Sequence, residues 1–160
     1  MQVIRKTTVN VSADKVWEIL GDDFYNISNW SSLVADSHAN PDLDSSEMGR
    51  VCQLEGGGQV VETVHKYDDA NRSLAFYLTG DKIPFFMQEV DNTWSVTPLG
   101  PNQSELQVQV DATLMPVFKQ LMTGMLSKGM AKQADGILDE LKYFAENGHP
   151  KSASEQLATA

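Results

Sequence analysis

The sequence predicts an α+β domain: one strand, two short helices, an antiparallel meander and a single long C-terminal helix, with six to seven strands in all. Three observations carry this. Segments rich in β-branched and aromatic residues recur between residues 33 and 113, joined only by turns too short for the crossover helices a parallel sheet needs. Residues 116–147 switch to a helical pattern, with Pro116 suited to the first helical position and Gly148 just past the end. The chain has 160 residues, 41% of them hydrophobic and 21% charged, enough for one core without metal or disulfide support.

Taken in order, Gln2 to Asn10 is the opening strand, ending at Val11-Ser12-Ala13-Asp14, where Ser12 can cap the next helix. From Ala13 to Leu20, Val16, Trp17, Ile19 and Leu20 make one apolar face, stopped by Gly21-Asp22-Asp23. A second helical turn spans Phe24 to Asn29, with Trp30 at its exit. Strands follow at Leu33–Asn40, Arg50–Glu55, Gln59–Tyr67, Ser73–Thr79, Phe86–Thr97 and Glu105–Thr113. The turns between them hold Asn40-Pro41-Asp42, Gly56-Gly57-Gly58, Asp68-Asp69-Ala70-Asn71, Gly80-Asp81-Lys82-Ile83-Pro84 and Pro98-Leu99-Gly100-Pro101-Asn102.

At about 100° per residue, the last helix carries two apolar stripes rotated by roughly 130°. Val117, Phe118, Leu121, Met122 and Met125 form the first; Met130, Ala134, Ile137, Leu138, Leu141 and Phe144 form the second. Two stripes mean two packing environments, and Gly124, Gly129 and Gly136 lie near the changeover, leaving room for a strand or a ligand. Residues 1–147 therefore read as one domain and residues 148–160, small and polar, as a flexible tail.

Twelve Lys and Arg against twenty-two Asp and Glu give a net charge of −10, with no basic cluster. That excludes nucleic acid as a partner, since such binding rests on neutralising phosphates, and disfavours anionic membranes. No apolar run approaches a membrane span, the N-terminus lacks the order of a signal peptide, and the lone Cys52 has no disulfide partner, so a cytoplasmic protein is expected. His38, His65 and His149 stand in no metal-ligand spacing, Cys52 in no Cys-His signature, and Gly56-Gly57-Gly58 precedes a strand rather than a helix. Neither a metal nor a cofactor is expected.

Two stretches point to a known family. Val11-Ser12-Ala13-Asp14-Lys15-Val16-Trp17-Glu18-Ile19-Leu20-Gly21-Asp22, followed by Trp30, is similar to its opening motif, and Gly58-Gln59-Val60-Val61-Glu62-Thr63-Val64 with Tyr67-Asp68-Asp69 to its central hairpin. The segment Gln133 to Lys142 matches its closing helix in character. On these residues the chain, over about 2–147, resembles the helix-grip fold of the START-like (SRPBCC) superfamily. That superfamily includes polyketide cyclase and dehydrase-like proteins, the birch-pollen-allergen group and the plant abscisic-acid receptors. The resemblance implies a sheet curved around the long helix with a cavity between them, and glycine-rich turns acting as gate and latch at its mouth. The hormone-anchoring lysine of those receptors aligns near Ala35, so hormone or carboxylate binding is not implied. Such folds host carriers, receptors and enzymes alike.

Within that frame Trp30, Glu62, Phe76, Leu78, Phe86, Trp94, Phe118, Met122 and Met125 are the expected ligand-binding residues. Glu62 shares a face with Val60 and Val64 and would point inward into an apolar surround, where burial raises a carboxyl pKa and suits it to proton transfer. In the opposite register Val61, His65 and Tyr67 face inward instead. Along Phe86–Thr97, alternation sends Phe86, Gln88, Val90, Asn92, Trp94 and Val96 inward and Met87, Glu89 and Asp91 outward. A buried Gln88 or Asn92 needs a partner, either a ligand or a water. The expected function is binding, transport or sensing of a small, largely hydrophobic ligand such as a lipid. The alternatives are a cyclase or dehydratase in which Glu62 or His65 moves a proton, and an interaction protein whose partner, a second copy of the chain included, covers an apolar patch.

Overall fold

The computed structural model describes residues 1–152; the remainder of the expected tail, 153–160, lies outside the described residues. Its strands are β1 (Gln2–Val9), β2 (Val34–Ala39), β3 (Gly49–Leu54), β4 (Gln59–Asp68), β5 (Ser73–Gly80), β6 (Met87–Gly100) and β7 (Gln103–Leu114). They form one curved antiparallel sheet in the order β1-β7-β6-β5-β4-β3-β2. The long helix α2 (Pro116–Asn147) closes the chain, so the helix-grip architecture expected from the sequence holds. No helix among the described residues is long and apolar enough to cross a membrane.

Between β1 and β2 the chain is helical but less regular than expected. The α-helix α1 is confined to Ala13–Trp17, capped by the Ser12 hydroxyl, which accepts from the Lys15 N–H. It widens into a π turn over Glu18–Asp22, within which the Trp17 indole lies across Gly21, where a Cβ would come within 2.5 Å of the ring. Phe24–Asn29 is a 3₁₀ segment interrupted at Asn26. Its Phe24 and Ile27 are buried, so tertiary contacts hold a stretch with weak helical propensity.

The two stripes of α2 meet the two environments that their rotation predicts. Ala131, Ala134, Leu138, Leu141 and Ala145 are buried and most of them join the core formed with Val9, Val16, Trp17, Phe24, Leu74, Val96 and Leu106. The N-terminal half stands off the core: Val117 is 69% exposed, Leu121 81% and Met125 65%. No strand fills the space beside its glycines, since a Cβ at Gly124, Gly129 or Gly136 would meet nothing within 4 Å. The helix ends as expected at Gly148, in the left-handed region at φ 76°. Beyond it, Lys151 turns back to contact Asp139 and the Tyr143 ring.

Candidate functional site

Where α2 stands off the sheet, a cavity of about 780 Å³ opens. Its sheet wall comes from Cys52 and Leu54 of β3, Val60 and Glu62 of β4, Leu78 of β5, Val90, Asn92 and Trp94 of β6 and Val108 and Val110 of β7. Met125, Gly129, Met130, Gln133, Ala134 and Ile137 of α2 form the opposite wall. At one end lie three loops, at Ser31-Ser32-Leu33, Gly56-Gly57 and Lys82-Ile83-Pro84. They lie together because alternate turns of an antiparallel meander fall at the same end of the sheet. The latter two touch: the Asp81 carboxylate accepts the Gln59 N–H at 2.8 Å.

Of the nine expected ligand residues, the structure brings Glu62, Leu78, Trp94 and Met125 onto this wall. Trp30 and Phe76 are buried in the core instead, Phe76 edge-on to Phe24 with ring centroids 6.1 Å apart. Phe86, Phe118 and Met122 also lie off the wall. Phe86 stacks on Phe118 at 4.9 Å and its carbonyl accepts the Met115 N–H at 3.0 Å, so these two rings fasten the β5–β6 turn to the start of α2.

Phe86 and Gln88 miss the cavity because strict alternation fails there. The β6–β7 register shifts between Met87 and Glu89, which inserts one extra residue into β6. Met87 therefore turns onto the cavity wall and Gln88 is exposed, the reverse of what the alternation predicts. Beyond the bulge the pattern recovers, with Val90, Asn92 and Trp94 inward and Asp91 outward. On the outer face Asp91 meets the His65 Nε2 at 3.0 Å, and the imidazole stacks on Tyr77 at 4.3 Å, so it is Glu62 and not His65 that reaches the cavity.

Glu62 does not sit in an apolar surround. Arg50, its register partner on β3, brings Nε and a terminal guanidinium nitrogen each to 2.7 Å of the Glu62 Oε2. The same guanidinium donates to the Phe24 carbonyl and lies over the Phe24 ring, 4.1 Å from its centroid. Burial raises the Glu62 carboxyl above its ordinary pKa, and the Arg50 charge and hydrogen bond oppose that rise without cancelling it. Arg50 was not foreseen as a partner, because its place beside Glu62 depends on the pairing of two inward residues in register on neighbouring strands. Cys52, next to this pair, has its thiol pushed up to about 12, first by burial and then by the Glu62 charge.

Two polar atoms in the wall lack a hydrogen-bond partner among the described residues: the Asn92 Oδ1 and the Trp94 Nε1. They stand on the same face of β6, two residues and so roughly 6.5 Å apart along the strand. A buried polar atom left unpaired costs about 1–3 kcal/mol, so a hydrogen-bond acceptor and a donor at this depth are what the wall is short of.

A family model described as polyketide cyclase / dehydrase and lipid transport matches residues 1–146. No curated protein matches the chain at a significant level. Among solved structures, the ZhuI aromatase/cyclase from Streptomyces sp. R1128 is 12% identical, with a TM-score of 0.67 over 94% of this chain and 99% of that one. A START superfamily protein from Mycobacterium smegmatis is 20% identical, with a TM-score of 0.58 over 84% and 97%. The protein Ara h 8.0201 is 11% identical, with a TM-score of 0.72 over 91% and 97%. At these identities the likeness shows the fold.

Proposed function

The chain belongs to the polyketide cyclase / dehydrase and lipid transport family, and from that premise we propose that it binds a small, largely apolar molecule, a lipid or polyketide-like compound, in the cavity between sheet and α2. The observation that carries this reading is a hollow of about 780 Å³ whose mostly apolar wall holds two polar atoms without a partner among the described residues, the Trp94 N–H and the Asn92 Oδ1. That volume lies within the range of about 300–1,000 Å³ typical of small-molecule sites, and a few convergent polar groups in an apolar wall are what fixes a ligand's orientation. A hydroxyl can serve both atoms in turn, accepting from the indole or donating to the amide.

Native mass spectrometry of the protein purified from its own cells, followed by extraction of any adduct, tests this. A co-purifying apolar molecule of one defined mass, lost in a variant that fills the cavity such as Val110→Trp, is the expected result. An unliganded protein that also fails to take up the neutral fluorophore N-phenyl-1-naphthylamine overturns it.

A second reading follows from one further observation: Glu62 is buried on the cavity wall with a raised pKa, and Oε1 makes no hydrogen bond among the described residues. An acid so placed can give or take a proton at a carbonyl carbon or oxygen, as a cyclase or dehydratase requires. Glu62→Gln then abolishes turnover of a polyketide-like carbonyl compound while binding persists; unchanged turnover removes this reading and leaves the first intact.

A further inference from the structure

Along the flank of α2 that faces Leu33 lies a second hollow of about 570 Å³. Leu33 forms one bank, and Lys128, Gly129, Lys132, Gln133, Gly136, Ile137 and Glu140 form the other. Leu33, Gly129, Gln133 and Ile137 line both this groove and the cavity, so a single layer of residues separates them. At Gly129 that layer has no side chain, and a Cβ placed there would meet no neighbouring element within 4 Å.

The charge of the groove runs against that of the chain. Residues 112–134 hold three lysines, Lys119, Lys128 and Lys132, and no Asp or Glu, in a protein of net charge −10. Lys128 and Lys132 stand one helical turn apart on the groove and make no ion pair among the described residues. Of the acids that follow them, two are paired and the third, Glu140, keeps its charge at the edge of the groove beside Ser32, so the groove presents two lysines against one carboxylate. Asp135 pairs with Arg5 at 3.1 Å, Asp139 with Lys151, and Glu140 accepts the Ser32 N–H at 3.1 Å and the Ser32 hydroxyl. Deeper in the cavity the nearby cation, Arg50, is committed to Glu62 and the Phe24 carbonyl, and among the described residues Lys82 stands alone at the mouth, whereas the groove presents two lysines together.

We propose that this groove seats the head of an amphipathic oxyanion whose apolar body occupies the cavity, with Lys128 and Lys132 as the recognition pair and Gly129 as the point of passage. This assignment rests on the binding reading above and narrows its ligand class to a carboxylate, sulfate or phosphate carried on an apolar body.

The test compares N-phenyl-1-naphthylamine with 1-anilinonaphthalene-8-sulfonate, which share one ring system and differ by a sulfonate. At low salt the sulfonate binds about tenfold tighter or more, and the preference fades towards 1 M salt, where the Debye length shrinks to about 3 Å. Lys128→Gln with Lys132→Gln, both exposed positions, erases the preference and leaves the neutral probe unchanged; loss of the preference in Lys82→Gln instead places the head at the cavity mouth and overturns the proposal. Dodecanoate or dodecyl phosphate displaces the neutral probe better than dodecanol, and the better of the two identifies the oxyanion. Equal affinity for the two probes, a preference that survives the double substitution, or dodecanol displacing as well as the anions overturns the proposal alone. Failure of the neutral probe to bind overturns the binding reading together with it.

Discussion

Arg50 and Glu62 face each other in register across β3 and β4, both buried, with two guanidinium nitrogens 2.7 Å from one carboxylate oxygen. The pair does two jobs at different levels of the structure. It fastens the 3₁₀ segment to the sheet, because the same guanidinium holds the Phe24 carbonyl and covers its ring. It also balances the charge of the cavity wall, so that Glu62 lines the hollow beside a partner of opposite sign.

Removing the cation leaves the acid stranded. Arg50→Met is expected to cost about 3–5 kcal/mol at neutral pH, the range for breaking a buried pair from one side. The loss depends on pH with a definite sign. Glu62 already has a raised pKa, and without Arg50 nothing opposes the burial that raises it. A carboxyl with a raised folded-state pKa contributes stability while protonated, below its ordinary value, and loses it as pH rises through the folded value. The penalty of Arg50→Met therefore shrinks from pH 8 towards about pH 4.5, and adding Glu62→Leu recovers part of it at pH 8. Urea midpoints of the native, single and double variants across that range check this; a penalty that grows on acidification contradicts it.

Asn92 and Trp94 set stability against binding. Asn92→Leu replaces an unpaired amide oxygen by an apolar group, which is expected to stabilise the unliganded protein by about 1–3 kcal/mol. The same change weakens binding of a hydroxylated ligand more than that of its deoxy analogue. Thermal unfolding of the unliganded protein and a paired titration measure the two effects. A destabilised variant shows that the amide is doing structural work that the geometry does not contain.

Most of the architecture was legible because it rests on local rules. Ser12, Pro116 and Gly148 mark helix ends by their own backbone chemistry, and the turns of the meander are written in Gly, Pro and Asp. The site was legible only in part. Glu62, Leu78 and Trp94 follow from alternation, but one extra residue near Gln88 turns Met87 in and Phe86 out, and nothing in the local sequence announces that bulge. Trp30 and Phe76 failed for a different reason: a large aromatic residue fills a core or lines a cavity with equal ease, and the choice lies in how far α2 stands from the sheet. Arg50 escaped because its pairing is a matter of register between strands.

Glycines in this chain divide into those the backbone requires and those it does not. Gly80 has φ 132°, and a Cβ there would lie 2.4 Å from the Gln59 carbonyl oxygen, so Gly80→Ala is expected to destabilise and to loosen the β4–β5 edge. Gly124 and Gly136 are helical and a Cβ at either would meet no neighbouring element within 4 Å, so Gly124→Ala and Gly136→Ala are each expected to stabilise by about 1 kcal/mol through helix propensity alone. Chemical denaturation of the three single variants decides the matter. A loss of stability at Gly124 or Gly136 means that something outside the single chain occupies that space.

Cys52 provides a chemical probe of the cavity wall. Its thiol is buried between strands β2 and β4 and lines the hollow, where burial and the nearby Glu62 charge push its pKa up to about 12. At pH 8 the thiolate fraction is then about one in ten thousand, against roughly one in four for an ordinary thiol near 8.5. Since the thiolate is the nucleophile, iodoacetamide is expected to alkylate the folded protein about three orders of magnitude more slowly than the urea-unfolded chain, even though the reagent is small enough to enter a cavity of this size. Mass spectrometry of timed samples measures both rates. Rapid modification of the folded native protein at pH 8 would show that this wall opens to water, and the polarity argued for the cavity would have to be revised with it.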